Sequence, residues 1–204
     1  YQEVVIPPLS TITALVDSTT DITCTGSDDG IMSFTVDNYD SGVNTIDWEI
    51  LNAVTNTNVT GSGAYAGTVG PGPAGGPQSL TVNQIPPGDY VLLVREATAP
   101  SCTATTTFRI TEPTPVALSL ISQTSANCND DAEVTVRASG GTSPYTYAYV
   151  VDGAAVPSSF PEGATFTLDP SVSLDWDVYA QDANLCISPV LNVTITVDPT
   201  PGIV

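Results

Sequence analysis

Apolar residues recur along this chain with a period of two. Thr45-Ile46-Asp47-Trp48-Glu49-Ile50 alternates without a break, and Tyr145-Thr146-Tyr147-Ala148-Tyr149 sets three aromatic rings on one face. Further runs of Val, Ile, Thr and Tyr fall at 31–36, 90–94, 108–110, 134–137 and 193–197, bounded by Gly, Pro, Asn or Asp. Such alternation turns one side of a strand to a core and the other to water, whereas an amphipathic helix needs a period near 3.6. No stretch of helical period and useful length occurs, and proline sits between the runs, where it interrupts no ladder. The pattern predicts an all-β protein.

It also predicts two units. Around Cys24 the chain reads T-D-I-T-C-T-G-S-D-D-G before an apolar run, and around Cys128 it reads S-A-N-C-N-D-D-A before another. Each passage leads to a second cysteine, Cys102 or Cys186, then to a Thr/Val-rich segment. An acidic-Pro-Thr-Pro punctuation closes each, at Glu112-Pro113-Thr114-Pro115 and Asp198-Pro199-Thr200-Pro201. The two punctuations lie one small β-domain apart. We expect two tandem Ig-like β-sandwiches, residues 1–113 and 114–204, arranged end to end. Unit one should place strands at 14–16, 31–36, 45–50, 90–96 and 105–110. Unit two should place them at 116–121, 133–138, 145–150, 176–180 and 191–197. Trp48, Tyr90, Tyr147 and Trp176 fall on inward positions and are expected as core aromatics. The tail Pro201-Gly202-Ile203-Val204 matches Pro115-Val116-Ala117-Leu118, so a third unit is expected to follow.

The units differ in length mainly at 61–78, G-S-G-A-Y-A-G-T-V-G-P-G-P-A-G-G-P-Q. Glycine and proline at this density predict a long surface loop with no packed element, a tolerated insertion with Tyr65 as its one aromatic.

Composition narrows the function. The bases are Arg95, Arg109 and Arg137 alone, against 22 acidic residues, for a formal net charge of −19. Nucleic acid and anionic membrane surfaces need clustered Lys/Arg and are excluded as partners. There is no histidine, hence no Ser-His-Asp or Cys-His pair, no HExxH helix and no His-ligated zinc. The four cysteines stand singly with no CxxC, which predicts disulfides and an oxidising compartment. No apolar run is long enough to insert in a membrane, and Tyr1 opens no signal peptide, so the chain reads as mature or excised from something longer.

The order of these motifs resembles the SprB-type repeat of large Bacteroidota surface proteins. The carrying residues in unit one are the Cys24 cassette, P-P-G-D-Y-V-L-L-V (86–94) and C-T-A-T-T-T-F-R-I-T-E-P (102–113). Unit two is the weaker match. It keeps Cys128, G-G-T-S-P-Y-T-Y (140–147), D-A-N-L-C (182–186) and V-T-I-T-V-D-P (193–199), but lacks the Gly after its first cysteine and has Ala132 where unit one has Gly30. The resemblance implies a β-sandwich array secreted to the cell surface, commonly by the type IX route, forming the long adhesin filaments of gliding and adhesion.

Candidate sites are few. Asp28-Asp29 and Asp130-Asp131 precede equivalent strands, with Asp182 and Glu96 at the last hairpins and Glu112 and Asp198 at the junctions. These carboxylates could hold Ca²⁺, or shape turns unaided; neither cluster has the D-x-D-x-D-G spacing. Asp47/Glu49 and Asp175/Asp177 flank tryptophans as a glycosidase pair might be imagined to, but each pair points outward from one strand face, so no catalytic residue and no required cofactor is expected. Asn58-Val59-Thr60 and Asn192-Val193-Thr194 fit the N-glycosylation sequon, read as chance matches.

The cysteines leave two pairings open. One bridge per unit would join Cys24–Cys102 and Cys128–Cys186. In an Ig-like sandwich, however, the first connection and the last hairpin lie at opposite ends, too far apart for a disulfide. An end-to-end array would instead join Cys24 to Cys186 and leave Cys102 and Cys128 to units outside this chain. The function expected is a non-catalytic adhesin or surface-filament segment whose partners are neighbouring repeats, surface polysaccharide or other filament subunits. The alternatives are a carbohydrate- or ligand-binding module attached to an extracellular enzyme, and a pilus or surface-layer subunit.

Overall fold

The structure, a computed structural model, describes residues 11–40, 45–70, 76–97 and 99–198, with backbone only at 99–101. The proposed opening of a third unit, and the second punctuation from Pro199 onward, lie outside the described residues. The chain divides into two compact units, Tyr1–Glu112 and Pro113–Val204.

Unit one contains β1 (Thr13–Thr20), β2 (Gly30–Asp37), β3 (Ile46–Asn52), β4 (Ala66–Val69), β5 (Gln78–Ile85), β6 (Gly88–Glu96) and β7 (Ala99–Ile110). They form two antiparallel sheets ordered β1-β2-β5 and β4-β3-β6-β7. Unit two contains β8 (Ala117–Gln123), β9 (Ala132–Ser139), β10 (Thr146–Val151), β11 (Thr165–Leu168), β12 (Asp175–Gln181) and β13 (Leu191–Thr194). Its sheets are ordered β8-β9-β11 and β10-β12-β13. In both units the first two strands pair as a hairpin, while the third strand joins the other sheet and pairs with the penultimate one. That exchange between sheets defines an Ig-like sandwich.

Period-two patterning produces the core directly. Along β2, Met32, Phe34 and Val36 are fully buried while Ile31, Ser33 and Thr35 are only partly so. Phe34 tilts against Trp48 at 5.7 Å between ring centroids, joining the two sheets of unit one. Unit two builds its own core around Val134, Tyr147, Phe166, Leu168, Trp176 and Val178.

Tyr90 and Trp176 are equivalent where the penultimate strand begins. Tyr90 donates its hydroxyl to the carbonyl of Pro86 at 2.8 Å, four residues upstream, and burial raises its phenol pKa. At the same place in unit two Trp176 donates Nε1 to the carbonyl of Ser173 at 2.9 Å. Both bonds tie a buried ring to the corner before its strand, as the tyrosine corner of Ig-like domains does.

The 61–78 segment departs from expectation. Ala66–Val69 forms β4 against β3, and Tyr65 is buried, with its hydroxyl on the Gln84 carbonyl at 2.5 Å. The glycines that read as breakers make room for rings. A Cβ on Gly67 would lie 3.2 Å from the Trp48 indole, so glycine lets β4 pass across its face. Strands β5 and β11 were also absent from the sequence reading. The alternation of β5 is weak, with Leu80 half-buried and Thr81 and Asn83 exposed, and β11 has only four residues.

Candidate functional site

The functional candidates concentrate at the two ends of each sandwich, and the backbone puts them there by one plan used twice. The β1–β2 connection folds back onto the end of the last strand. Ile22 N donates to Thr111 O at 3.3 Å, Thr111 N donates to Asp21 Oδ1 at 2.6 Å, and Gly26 N donates to Glu112 Oε1 at 2.7 Å. The β8–β9 connection does the same. Ala126 N donates to Thr196 O and Asp198 N to Ala126 O, both at 2.8 Å, and Ser125 and Thr196 hydroxyls meet at 2.9 Å. Ile22 and Ala126 are both buried, and Cys24 and Cys128 each follow two residues later. The two cysteines are therefore equivalent, at the end where the chain leaves its unit.

The opposite end is closed by a buried acid. Glu96, 1% exposed, accepts Asp40 N at 2.9 Å from the β2–β3 connection. Its counterpart Asp182, 4% exposed, accepts Thr142 N through Oδ2 and both Asn184 N and Cys186 N through Oδ1, at 2.8–2.9 Å. A buried carboxyl group that accepts N–H donors in this way has its oxygens satisfied and fixes two loops at once. The sequence reading placed these acids at the hairpin but missed their burial. The equal spacing from Tyr90 to Glu96 and from Trp176 to Asp182 is the signal that could have found it.

The acids that precede β2 and β9 lie in the connections to those strands. Asp29 Oδ1 accepts Thr23 N at 2.9 Å, and bonds from the Thr23 side chain and N–H lower its pKa. Asp28 accepts the Ser62 hydroxyl. Asp130 Oδ2 accepts Asn127 Nδ2 at 3.4 Å, and Asp131 is exposed. Among the described residues no three of His, Cys, Asp and Glu gather so as to hold a metal ion. Within each unit, Asp28 and Asp29, and Asp130, Asp131 and Asp182, belong to no such described group.

The paired carboxylates do not form a cleft. Arg95 Nη2 lies 3.1 Å from Glu49 Oε1 and its Nε lies 4.0 Å from Asp47 Oδ2. Asp177, expected on an outward face, is 5% exposed and accepts Asn192 Nδ2 at 2.6 Å and Gly153 N at 3.0 Å. The turn at Gly153 and the last strand cover that face, which strand alternation alone cannot reveal. The Asn192 amide of the second sequon is committed to this contact. A hollow of about 350 Å³ lies beside Trp48 and strand β5, lined by Leu80, Thr81, Val82, Asn83 and Gln84. It has no carboxylate in its lining.

The cysteines divide into two kinds. Cys24 and Cys186 are disulfide-bonded, whereas Cys102 and Cys128 are free thiols, half-buried and exposed respectively. One bridge per unit is therefore not formed, and the geometry of unit one shows why. Cys24 follows by two residues the contact of Ile22 with Thr111, which lies past the end of β7, while Cys102 lies near the start of β7. The strand between spans roughly 25 Å at 3.3 Å per residue, far beyond the 7 Å or so that a disulfide allows. Both bonded cysteines are held by local acceptors: Cys24 N donates to Ser27 Oγ at 3.1 Å, and Cys186 N to Asp182.

Fold and ends define a repeat module of Ig-like sandwiches. The SprB repeat family matches residues 120–148. The SprB-type resemblance is thus found in the second unit, which the motif comparison had ranked the weaker of the two. The chain is also 34% identical over 94 residues to the decoration protein of Escherichia phage T5, covering 43% of this chain and 56% of that protein. Among solved structures it is similar to invasin, a bacterial integrin-binding protein, at 13% identity and TM-score 0.38, covering 94% of this chain and 40% of the other. It is similar to fibronectin(III)-like modules of CbhA from Clostridium thermocellum at 14% identity and TM-score 0.34, covering 90% and 94%. Likenesses at these scores carry no functional argument. No helix among the described residues is long and apolar enough to cross a membrane.

Proposed function

We propose that this chain is a non-catalytic segment of an extracellular adhesin or surface filament, whose Ig-like units project and space the protein from the cell. One observation carries the reading. In each unit the chain enters at one end of the sandwich and leaves at the other. Thr13 pairs with Asp37 at the entry end of unit one, and Ile110 pairs with Gly88 at its exit. Ala117 pairs with Ser139 at the entry end of unit two, and Ala126 bridges Val197 at its exit. Units of this kind add length with every repeat, as a spacer requires. Pro113 and Pro115 have no N–H to give to a sheet ladder.

Surface display and the type IX secretion route of Bacteroidota accord with the SprB repeat match. The absence of histidine from the sequence and the engagement of each carboxylate pair in ordinary structural contacts argue against catalysis. The likeness to a decoration protein favours a second reading, a module that coats a larger assembly. Small-angle scattering on the chain separates them from a compact protein: a rod about two sandwiches long is expected. A maximum dimension no greater than one sandwich, with the halves side by side, would sink the filament reading.

A further inference from the structure

We infer that the hollow beside Trp48 in unit one is a binding site for a neutral sugar residue, walled in part by the insertion that lengthens this unit. The inference rests on the adhesin reading for the source of that sugar, a surface polysaccharide, and names a contact for it. Three observations carry it.

The first is an unsatisfied donor. Trp48 lines the hollow, is 7% exposed, and has a buried Nε1–H with no acceptor. A buried donor is costly to leave unpaired. Unit two shows the ordinary solution. Trp48 pairs with Val94 and Tyr147 with Ala180, each four residues after the ring that is tied to its corner. Tyr147 is therefore the counterpart of Trp48, and its hydroxyl is engaged by Ala138 N at 3.3 Å.

The second is the lining. Leu80 and Val82 of β5 and Ala64 give apolar surface, and Asn83 and Gln84 add amide side chains with no hydrogen-bond partner among the described residues. No charged residue lines the hollow, so it selects neither a cation nor an anion. The formal charge of −19 repels anions further. The volume of about 350 Å³ lies within the range of small-molecule sites, about 300–1,000 Å³. A neutral ligand with oxygens for the donors and C–H faces for the apolar wall is required, and a pyranose ring has both.

The third is the edge that borders the hollow. Strand β5 pairs with β2 alone, so its other edge has no partner strand. An added polypeptide strand is nevertheless a poor occupant. The β2–β5 register shifts between Gly30 and Met32, and Gln84 takes a φ of 62°, so a bulge interrupts the edge. Tyr65 fixes that distortion: its hydroxyl donates to Gln84 O at 2.5 Å and accepts Gly63 N at 3.1 Å. A compact ligand needs no continuous ladder. Ala64 and Tyr65 both belong to the 61–78 insertion, which thus builds one wall and holds the other.

Heteronuclear NMR on the full chain tests the site. The sequence has two tryptophans, so the indole region holds two Nε1–H signals, and Trp176, bonded to Ser173 O, is the internal reference. Cellobiose and N,N′-diacetylchitobiose are the probes, with glucuronate as the charged control. At least one neutral disaccharide should move the Trp48 signal saturably and leave Trp176 in place, and glucuronate should move neither. Asn83→Ala, on the exposed edge, should weaken binding about five-fold, the loss of one neutral hydrogen bond. Ala64→Leu should fill the hollow and abolish the shift; if it unfolds unit one instead, Asn83→Ala decides. A Trp48 signal that neither disaccharide moves, that moves together with Trp176, that answers equally to glucuronate, or that titrates unchanged in Asn83→Ala overturns the inference. Scattering is blind to the hollow, so the two ideas fail separately. A rod with an unmoved Trp48 signal keeps the filament without this contact, and a compact chain with a saturable shift keeps the contact without the filament.

Discussion

At Gly30 a methyl group would meet the Ile85 carbonyl oxygen at 2.4 Å and the Ile110 side chain at 2.8 Å. The cause is a register shift in the β2–β5 pairing between Gly30 and Met32, which draws the β5 carbonyl inward. Unit two has Ala132 at this place, opposite Leu168, in a pairing with no such shift, and its methyl is fully buried. The departure from the repeat pattern at Ala132 is therefore a consequence of pairing geometry. Gly30→Ala should lower the stability of unit one by about 1–3 kcal/mol, the usual range for overpacking. Chemical denaturation checks it, and an unchanged midpoint would mean that the Ile85 carbonyl can retreat freely. At Trp48, buried in the same core, Nε1 finds no hydrogen-bond partner among the described residues. Its ring is placed by packing in the unit-one core, on Phe34 and across Gly67 among others.

The elements that matter most are the connections clamped to the strand ends. Asp21 is exposed, yet hydrogen bonds from the Thr111 hydroxyl and N–H hold its carboxyl below the ordinary 3.8. The folded state thus binds that proton less readily than the unfolded chain. The stabilisation is complete above the ordinary carboxylate pKa and drains away as pH falls through the depressed one. Asp29, held low by Thr23, behaves alike. Asp21→Asn keeps an oxygen for Thr111 but cannot titrate. Its melting temperature should fall less between about pH 5 and pH 3 than that of the parent. Parallel slopes for the two proteins in a thermal scan would show that the Asp21 contact is absent from the pH response.

For the whole molecule, the formal charge of −19 sets solubility and self-repulsion but selects no ligand. We read the acids at the unit ends as turn formers and loop staples rather than as calcium ligands, because their oxygens already accept backbone and side-chain donors. Anything that binds the native state alone stabilises it by mass action. Removing divalent cations with a chelator should therefore leave the melting temperature unchanged at constant ionic strength. A drop that calcium restores and magnesium does not would overturn this reading.

Much of this protein was legible in the chain alone, since period-two alternation is a local property and the same pattern occurs twice. The ten strands read from the sequence all exist, with ends shifted by a few residues, and Trp48, Tyr90, Tyr147 and Trp176 are buried. Strands β4, β5 and β11 were not legible, because edge strands are defined by the partner they lie against and these are short, glycine-rich or weakly alternating. The acids illustrate the same division. Composition established that they are many, but whether Asp177 faces water or Asn192, and whether Asp182 grips three N–H groups, depends on loops brought in from distant sequence. For the cysteines, sequence fixed their count and their places along each repeat. That the two of each unit stand at opposite ends followed from the expected Ig-like topology; only tertiary structure decided which are oxidised and which stay free, because reach is set by how strands run up and down and not by how many residues lie between.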